Sequence, residues 1–401
     1  MRPVEEHQRV VAHLITARPP ATVPLEAAEG LVLAADVAAA MSLPVFDNSA
    51  MDGYAVRAAD VAAATAEDPV KLPVAEDIPA GRTDIPTLAP GTAHRIMTGA
   101  PVPVGADAIV PVEATDGGTD TVAIRAATSP GRHVRPAGED VAAGATVLRA
   151  GQLATPAVVG LAAALGQPEL TVIPRQRVLV ISTGTELASP GTPLQPGQIY
   201  ESNAVMLAAA VREAGATVAA ATKVSDDVDE FAAVLDRHAA DADLIITSGG
   251  VSAGAYEVVK DVFGRAGDQG VEFVKVAMQP GMPQGAGRVA GTPIVTLPGN
   301  PVSALVSFEV FIRPALRRAM GLPNPDRSHH TAVLAEPLTS PRGKRQFRRG
   351  LLDTAAGTVT SYGPPASHHL RWLASSNCLL DIPEDVVEMA AGSPLHVWDL
   401  R

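Results

Sequence analysis

The sequence predicts a multidomain α/β plus β protein, in which a mainly parallel α/β domain lies between regions rich in short strands. Its 401 residues exceed the size of one typical domain. Strand and helix patterns alternate between residues 175 and 322, which favours a mainly parallel sheet with helices on both faces. Elsewhere the 35 Gly and 35 Pro residues are interleaved with short apolar runs, which indicates strands and turns rather than disorder.

The N-terminal region is predicted to begin with a helix at 4–17, which ends before Pro19-Pro20. Between residues 37 and 150, short β-branched runs are separated by Pro and Gly, a pattern typical of strands and turns. An Ala-rich helix is expected to start after Thr155-Pro156 and to stop at Gly166. The predicted strands of this region are 70–74, 92–97, 108–112, 122–124 and 146–148.

The α/β region is predicted to start with a strand at 177–182, an unbroken apolar run typical of a strand buried on both faces. A helix follows between Ser202, the expected N-cap, and Gly215, expected just beyond its end. After residue 328 the β pattern returns. The further predicted elements are strands at 217–224, 243–247, 272–278, 344–352 and 394–399, helices at 228–240, 256–264 and 301–320, and a hairpin-like pair at 286–297.

Composition excludes several function classes. The formal net charge of −12 argues against a nucleic-acid or anionic-membrane partner, which would require a basic face. No apolar run approaches the length of about 18 residues needed to span a membrane, and we expect a cytoplasmic protein. The single cysteine, Cys378, lies in an apolar run and is predicted to be a buried strand residue rather than a nucleophile.

Five loops that follow the predicted strands are the candidate binding site. Ligands of open α/β sheets bind beyond the carboxyl ends of the strands. These loops are rich in Gly and hydroxyl residues, which leave backbone amides open to an anion. Each loop alone could be an ordinary turn, but five at one sheet edge favour a site for a phosphate-bearing small molecule. The loops are 183–187, 225–227, 247–254, 279–285 and 298–303.

Four acids, Glu186, Asp226, Asp227 and Glu257, accompany these loops. Two like charges roughly 4 Å apart repel by about 4 kcal/mol at an effective dielectric near 20. Acids beside phosphates therefore indicate a hard cation such as Mg²⁺, bound by carboxylate and phosphate oxygens. For Asp227 and Glu257, a solvated loop position or a helix N-cap explains the acid equally well.

A serine hydrolase is an alternative, because 250–254 matches G-x-S-x-G with Ser252 as the nucleophile. No oxyanion segment of the H-G-G-G kind precedes it, and the histidines at 329, 330, 368, 369 and 396 all lie beyond the α/β region. The loop matches neither the Walker nor the dinucleotide fingerprint. Outside this region, 44–55 and 94–103 are either turns or sites, and the basic cluster 344–349 is either a solvated strand face or an anion contact.

Motifs along the whole chain combine into a specific set. They lie at 44–55, 95–103, 135–140, 181–187, 247–254, 297–303, 345–350 and 367–378. In this combination the chain resembles the molybdopterin molybdenumtransferase family, the MoeA and gephyrin E-domain proteins. The resemblance implies a cytosolic homodimer that inserts molybdate into the dithiolene of adenylylated molybdopterin, releases AMP and requires Mg²⁺.

The resemblance also implies four domains. An elongated N-terminal domain would comprise 1–40 and 144–174, with a β domain at 41–143 inserted into it. The α/β domain that binds molybdopterin would span 175–325, and a C-terminal β-barrel would span 326–401.

Carried over position by position, the resemblance implies a metal and phosphate site at Glu186, Asp226 and Glu257. Active-site residues from the other subunit of the dimer would be Asp52, Thr98 and Asp140. Lys275 would be an active-site lysine, and Arg349 and Ser367 functional residues of the last domain. The implied residues of the pterin-phosphate loops and of the rigid Pro-Gly-Asn-Pro turn are Thr183, Gly184, Ser248, Gly249, Gly250, Ser252, Pro298 and Pro301.

Three positions depart from the family pattern. Glu257 stands where the family usually has Asp, and Gln279 and Met282 stand where it commonly has two lysines. The loss of two positive charges should weaken the binding of a dianion such as molybdate. The preference for molybdate or tungstate therefore stays open, as does a non-catalytic carrier or scaffold that binds molybdopterin.

Overall fold

The structure, a computed structural model, describes residues 1–249 and 270–401. The described chain divides into two compact units. The first comprises Met1–Val23, Gly30–Ala34 and Thr171–Arg401, and the second comprises Pro24–Glu29 and Ala35–Leu170. The helix predicted at 256–264 lies outside the described residues. None of the helices in the described part of the chain is long and apolar enough to cross a membrane.

A six-stranded sheet is the centre of the first unit. Its order is β2-β1-β3-β6-β5-β4, where the strands are β1 Arg177–Thr183, β2 Thr217–Val224, β3 Leu244–Ser248, β4 Glu272–Lys275, β5 Pro283–Val289 and β6 Thr292–Leu297. Strand β1 pairs in parallel with β2 and β3, and β3 pairs in parallel with β6. Strand β5 is antiparallel to both of its neighbours. The predicted mainly parallel sheet and the hairpin near 286–297 are confirmed.

Helices pack on both faces of this sheet, as predicted. Successive side chains of a strand point to opposite faces. Val180 of β1 therefore packs into one core together with Leu207, while the adjacent Ile181 packs into another together with Phe231. The helices of the sheet are α1 Asn203–Glu213, which carries Leu207, α2 Val228–His238, which carries Phe231, and α3 Pro301–Ser307.

One predicted strand of this region is wrong in extent, and one predicted helix is confirmed in extent but is not a regular α-helix throughout. The strand predicted at 272–278 ends at Lys275, because Met278–Gln279 pairs instead with the strand Arg345–Asp353. The helix predicted at 301–320 contains a π-helical turn at Phe308–Ile312 and continues as Arg313–Ala319. Pro314 has no N–H to donate to the carbonyl of Val310, and that carbonyl accepts a hydrogen bond from Gln8 Nε2 over 3.2 Å.

The end of the chain forms a closed five-stranded β-barrel. Pairing between Arg345–Asp353 and Cys378–Ile382 closes the ring. Cys378 is fully buried in this barrel, as predicted, and burial raises its pKa to about 12, which leaves the thiol unreactive. The barrel strands in spatial order are Arg345–Asp353, Thr358–Ser361, His329–Leu334, Pro394–Asp399 and Cys378–Ile382.

Shorter elements complete the first unit. The N-terminal helix Val4–Leu14 is three residues shorter than the predicted 4–17. Val32–Leu33 pairs antiparallel with Glu169–Ile173 through Val172 and Ile173. The first unit also contains the paired strands Leu187–Ala188 and Ile199–Tyr200, the paired strands Leu338–Thr339 and Glu388–Met389, and the helix Leu370–Ala374.

The second unit is built on a five-stranded sheet, which confirms the predicted strand-rich region. Its strands in spatial order are Ala108–Pro111, Gly53–Val56, Ala93–Ile96, Val70–Ile78 and Thr121–Ile124. Two short antiparallel pairs accompany it, Asn48–Ser49 with Val134–Arg135 and Val37–Ala38 with Thr146–Leu148. The predicted Ala-rich helix spans Pro156–Ala164, and its N-cap Thr155 accepts a hydrogen bond from Val158 N. The division into four domains stays a prediction.

Candidate functional site

A cleft of about 780 Å³ opens at the carboxyl edge of the central sheet. The predicted loops after β1, β2, β3 and β6 all contribute to its lining. Pro283 at the start of β5 and His368 and Leu370 near the barrel also line it. The structure therefore brings together these predicted site residues: Thr183, Gly184, Glu186, Asp226, Ser248, Gly249, Pro298 and Pro301. Gly250, Ser252 and Glu257 lie outside the described residues.

Glu186 and Asp226 are the two predicted metal-binding acids that line the cleft. Asp226 Oδ2 accepts hydrogen bonds from Thr185 N and Thr185 Oγ1, each over 3.2 Å, which ties the loop after β2 to the loop after β1. The Glu186 carboxylate folds over Gly184, because a Cβ at position 184 would lie 2.6 Å from Glu186 Oε2. Position 184 therefore requires glycine to keep this carboxylate in place.

Asp227 makes different contacts from the adjacent Asp226. Its Oδ1 accepts hydrogen bonds from Asp229 N and Glu230 N, both over 2.9 Å, at the start of α2. This is the geometry of a helix N-cap. The structure thus decides between the two readings of Asp227 in favour of the cap.

Glu201 is a buried acid of the cleft that the sequence analysis missed. Only 5% of its surface is exposed, and its Oε1 accepts hydrogen bonds from Ser182 Oγ over 2.8 Å and Ala204 N over 2.6 Å. Ser202, the expected N-cap, makes no side-chain capping bond. An acid within one turn of a predicted helix start was the available signal. The start of α1, the positive end of its dipole, lines the cleft at Ser202 and Asn203.

Several loop amides that were expected to be open to an anion already donate within the protein. Gly184 N donates to Val224 O and Gly249 N donates to Leu297 O, both over 3.1 Å. Val302 N likewise donates to a carbonyl, at 3.1 Å. The expectation of open amides is therefore wrong at these positions. The two glycine amides instead bond to carbonyls at the ends of neighbouring strands.

Arg349 supports the loop that carries Ser367 and His368. Its side chain is buried, and its guanidinium donates to the carbonyls of Pro364, Ala366 and His369, the last two over 3.2 and 3.0 Å. Burial lowers the pKa of Arg349, with a smaller contribution from Arg348 in the same direction. All three contacts are to main-chain oxygens, so this arginine holds the backbone of the loop in place.

Two further arginines of the basic cluster 344–349 also make structural contacts. Arg345 pairs with Asp381 at 2.6 Å and with Glu5 at 2.5 Å, and Arg348 Nη1 donates to Thr339 O over 3.2 Å. Neither a solvated strand face nor an anion contact describes these two arginines.

The cleft has an unusual charge balance for an anion site. Three carboxylates are found among the described residues that line it, those of Glu186, Glu201 and Asp226. Among the described residues that line it there is no lysine or arginine, and His368 is the side chain that can become cationic. Lys275 is exposed on β4 and does not belong to the lining. With respect to these described lining residues, an anionic ligand would need charge compensation from a cation.

Gln279, which stands where the family commonly has lysine, is tied to the barrel. Its Oε1 accepts a hydrogen bond from Gln346 Nε2 over 2.9 Å, next to the backbone pairing of the same two residues. The amide is thereby held at the barrel strand Arg345–Asp353.

The remaining predicted site residues belong to the second unit. Antiparallel pairing of Gly53 with Ile96 places Asp52 beside Thr98. Thr98 N and Thr98 Oγ1 donate to Asp52 Oδ1 over 2.6 and 2.7 Å. The amide and, to a smaller extent, the hydroxyl lower the pKa of Asp52. Asp140 is exposed, and its backbone amide donates to Leu43 O over 3.0 Å.

The carboxylate oxygens of Glu186 and Asp226 are suitable ligands for a hard cation. Glu186 and Asp226 offer carboxylate oxygens from adjacent loops to the same cleft, and Mg²⁺ is commonly bound by one or two carboxylates plus phosphate oxygens and water. The described residues contain no group of three or more His, Cys, Asp or Glu side chains that could hold a metal. A two-carboxylate site completed by a phosphate is therefore the arrangement that fits.

Fold and cleft together define a multidomain α/β protein with a polar, acid-lined cleft at the carboxyl edge of its sheet. Three family models match the chain in order. The MoeA N-terminal region (domains I and II) matches residues 2–166, a probable molybdopterin-binding domain matches 179–318, and the MoeA C-terminal region (domain IV) matches 331–400. The chain belongs to the MoeA family, as the motifs indicated.

Relatives and solved structures agree with this assignment. The chain is 76% identical over the full length of both chains to a Mycobacterium tuberculosis protein named molybdopterin molybdenumtransferase 2. It is 34% identical to the Bacillus subtilis molybdopterin molybdenumtransferase, with 100% of this chain and 94% of the relative covered. A crystal structure of a MoeA protein from Pyrococcus horikoshii matches with a TM-score of 0.82 and 29% identity, covering 100% of this chain and 99% of the other.

Proposed function

We propose that this protein is a molybdopterin molybdenumtransferase of molybdenum cofactor biosynthesis. It inserts molybdate into the dithiolene of adenylylated molybdopterin, releases AMP and depends on Mg²⁺. The observation that carries the proposal is the acid-lined cleft at the carboxyl edge of the sheet, in a chain that matches its family over its full length. We further propose that the protein acts in the cytoplasm.

The phosphate end of the substrate is proposed to lie near Glu186 and Asp226. Mg²⁺, held by these two carboxylates and by Glu257, would neutralise charge between carboxylates and phosphates and polarise phosphoryl oxygens. The start of α1, which also lines the cleft, adds the positive end of a helix dipole. Glu201 Oε1 accepts hydrogen bonds from Ser182 and Ala204, so Glu201 is proposed to support the start of α1.

Other residues are proposed to have distinct functions. Gly250 and Ser252 contribute to binding the pterin phosphate, and Lys275 serves as an active-site lysine. Asp52, Thr98 and Asp140 complete the site from the partner subunit of a homodimer. The hydrogen bonds from Thr98 keep Asp52 ionised and oriented, which supports a function for this pair in binding or positioning.

A non-catalytic molybdopterin carrier is the alternative that one observation favours. No lysine or arginine lines the described part of the cleft, and Gln279 and Met282 replace the family's usual lysines. A carrier would bind adenylylated molybdopterin without releasing AMP. The serine-hydrolase alternative predicts covalent labelling of Ser252 by a fluorophosphonate probe, and we expect none.

An AMP-release assay tests the proposed function. Purified protein is incubated with adenylylated molybdopterin and Mg²⁺, with molybdate, with tungstate or with neither, and nucleotides are separated by chromatography. The transferase releases AMP only when an oxyanion is present. Binding of the substrate without AMP release under any oxyanion would support the carrier and contradict the transferase.

A further inference from the structure

Asn203, the first residue of α1, connects three segments that form the cleft. Its Nδ2 donates to Ser248 Oγ at the end of β3 over 2.7 Å and to Gly299 O in the turn after β6 over 2.6 Å. Asn203 itself lines the cleft, as do both of its partners. One side chain thus joins the start of a helix to the ends of two neighbouring strands.

The orientation of this amide follows from its partners. Gly299 O is a carbonyl and can only accept a hydrogen bond, so the atom 2.6 Å away from it must be the nitrogen. Both N–H groups of Asn203 are then used by Ser248 and Gly299. Asn203 Oδ1 is buried and finds no donor among the described residues. An unsatisfied buried acceptor is costly, which indicates that the two donated bonds determine the side-chain orientation.

Asn203 also sets the direction in which the Ser248 hydroxyl donates its hydrogen bond. Because Ser248 Oγ accepts from Asn203, its own proton is directed at Pro298 O, over a long 3.4 Å. Asn203 is therefore connected to Pro298 through the Ser248 hydroxyl, and to Gly299 by a direct hydrogen bond. Both of these residues belong to the Pro-Gly-Asn-Pro turn that lines the cleft.

The segments tied by Asn203 are already in close contact. A Cβ at position 299 would lie 3.5 Å from Gly249 Cα, and β3 pairs with β6 up to Ser248 and Leu297. The fold of these strand ends is therefore fixed by sheet pairing. What Asn203 adds is the orientation of the Ser248 hydroxyl and of the turn after β6 relative to the start of α1.

We propose that Asn203 is a positioning residue of the cleft, which holds the Ser248 hydroxyl and the turn at 298–301 in the arrangement that receives the phosphate-bearing substrate. The inference rests on the proposed function for the identity of the substrate. It makes Asn203 necessary for turnover although its bonds are all within the protein.

The test compares Asn203→Asp and Asn203→Ala with a matched control, Val205→Ala. Val205 lies in the same helical turn, is 61% exposed and is not part of the cleft lining. Each protein is measured for kcat of AMP release, for the dissociation constant of adenylylated molybdopterin, and for thermal unfolding, at pH 6 and pH 8. Mispositioning of about 1 Å near reacting groups lowers rates by up to about 100-fold, so we expect kcat to fall about 10- to 100-fold in both Asn203 variants.

The pH profile separates positioning from simple loss of structure. An aspartate at 203 would face the Gly299 carbonyl and would share the cleft lining with the carboxylate of Glu201, both of which favour its protonated form. Protonation restores one O–H donor, so the kcat deficit of Asn203→Asp should shrink severalfold at pH 6. The deficit of Asn203→Ala should be the same at both pH values, and Val205→Ala should match the wild type.

Several results would overturn the inference. They are kcat and dissociation constants of both Asn203 variants within twofold of the wild type, a deficit of Asn203→Asp that does not change with pH, or unfolding of both variants under assay conditions. If the wild type itself releases no AMP, the proposed function fails on its own. The dissociation constants then still decide the inference, which expects weaker substrate binding in both Asn203 variants and not in Val205→Ala.

Discussion

Asn300 Nδ2 donates a hydrogen bond to Ser367 Oγ over 2.9 Å, which joins the turn after β6 to the 364–370 loop beside the barrel. A second bond, from Val302 N to Ser367 O over 3.1 Å, fixes the backbone of the same loop. His368 and Leu370 of this loop line the cleft. The C-terminal region therefore shapes the cleft through main-chain and side-chain contacts to the Pro-Gly-Asn-Pro turn.

Ser367→Ala should weaken substrate binding with little loss of stability. The substitution removes the acceptor of Asn300, and an exposed hydrogen bond of this kind contributes about 0.5–1.5 kcal/mol, which corresponds to a 2- to 10-fold change in affinity. The dissociation constant of adenylylated molybdopterin measures it. Ser375→Ala, at the residue just after the next helix, where the hydroxyl donates to Arg371 O, is the control and should bind as the wild type does. Equal affinities of all three proteins would show that the Asn300–Ser367 bond has no part in the site.

Arg349→Lys should destabilise the C-terminal region although it keeps the charge. A lysine cannot reproduce the planar set of donors that reaches the carbonyls of Pro364, Ala366 and His369. We expect the free energy of unfolding to fall by about 2–3 kcal/mol, measured by urea denaturation. The exposed Arg371→Lys is the control, for which a change within about 0.5 kcal/mol is expected. A stable Arg349→Lys protein with impaired substrate binding would instead favour a direct anion contact of Arg349.

His7 should make the stability of the protein sensitive to mild acid. The ring is fully buried with its edge against Phe311, and neither ring nitrogen has a hydrogen-bond partner among the described residues. Burial, and secondarily Arg2, lowers its pKa from 6.5 to about 4, with Glu272 acting weakly in the opposite direction. The unfolded chain therefore takes up a proton at His7 at a higher pH than the folded chain does. The stability that His7 contributes is complete above pH 6.5 and is lost as the pH falls from 6.5 to 4, by about 3 kcal/mol in total.

His7→Leu removes this pH dependence if the account is right. Urea midpoints of the wild type should fall between pH 6.5 and pH 4, and those of His7→Leu should fall distinctly less. His13→Gln on the exposed face of the same helix should keep the wild-type slope, because His13 is solvent-accessible. Parallel slopes for the wild type and His7→Leu would refute the burial of a neutral imidazole.

Thr98→Val should raise the pKa of Asp52 partway towards its ordinary value of roughly 3.9. The hydroxyl bond is lost, while the backbone amide of residue 98, the larger cause of the lowered pKa, keeps its bond. Because the folded pKa is depressed, the stabilising contribution of Asp52 is present above pH 4 and is lost as the pH falls through its folded pKa. An NMR titration of the Asp52 carboxyl carbon measures the shift. Thr92→Val, whose hydroxyl bonds to Ala89 O, should leave that titration unchanged.

The fold was largely predictable because its periodic patterns are strong. The unbroken apolar run of β1 and the alternation of strands and helices predicted the parallel sheet, and the Thr155-Pro156 pair predicted the start of a helix. The strand at 272–278 was overextended, because Met278 continues the apolar pattern after the chain has already left the sheet for the barrel. Pairing partners distant in sequence, such as Arg345 for Met278, leave no local signal.

The candidate site was predictable in its loops but not in its internal bonds. The rule that ligands bind at the carboxyl ends of parallel strands placed Glu186, Asp226 and Ser248 together. Glu201 was missed although an acid within one turn of a predicted helix start was an available signal. Asn203 was missed because nothing in the pattern around a helix start distinguishes a residue that faces a strand end from one that faces solvent. The function of Arg349 likewise depends on three carbonyls of a loop 15–20 residues away.

The central claim is that the Glu186–Asp226 pair binds the metal that this cleft needs for turnover. Asp226→Asn keeps the shape of the side chain but removes its charge, whereas the neighbouring Asp227→Asn retains the helix cap of α2, for which asparagine is as suitable as aspartate. The two variants therefore form a matched pair that differs in access to the cleft, because Asp226 lines it and Asp227 does not.

The decisive measurement is Mg²⁺-dependent AMP release and substrate affinity, determined on the same preparations of wild type, Asp226→Asn and Asp227→Asn. We expect the wild type and Asp227→Asn to release AMP with molybdate and Mg²⁺. Asp226→Asn should lose the rate by about 100-fold or more while its dissociation constant for adenylylated molybdopterin changes by less than about 10-fold. Equal losses of binding and turnover in Asp226→Asn, or equal effects of the two substitutions, would contradict the account.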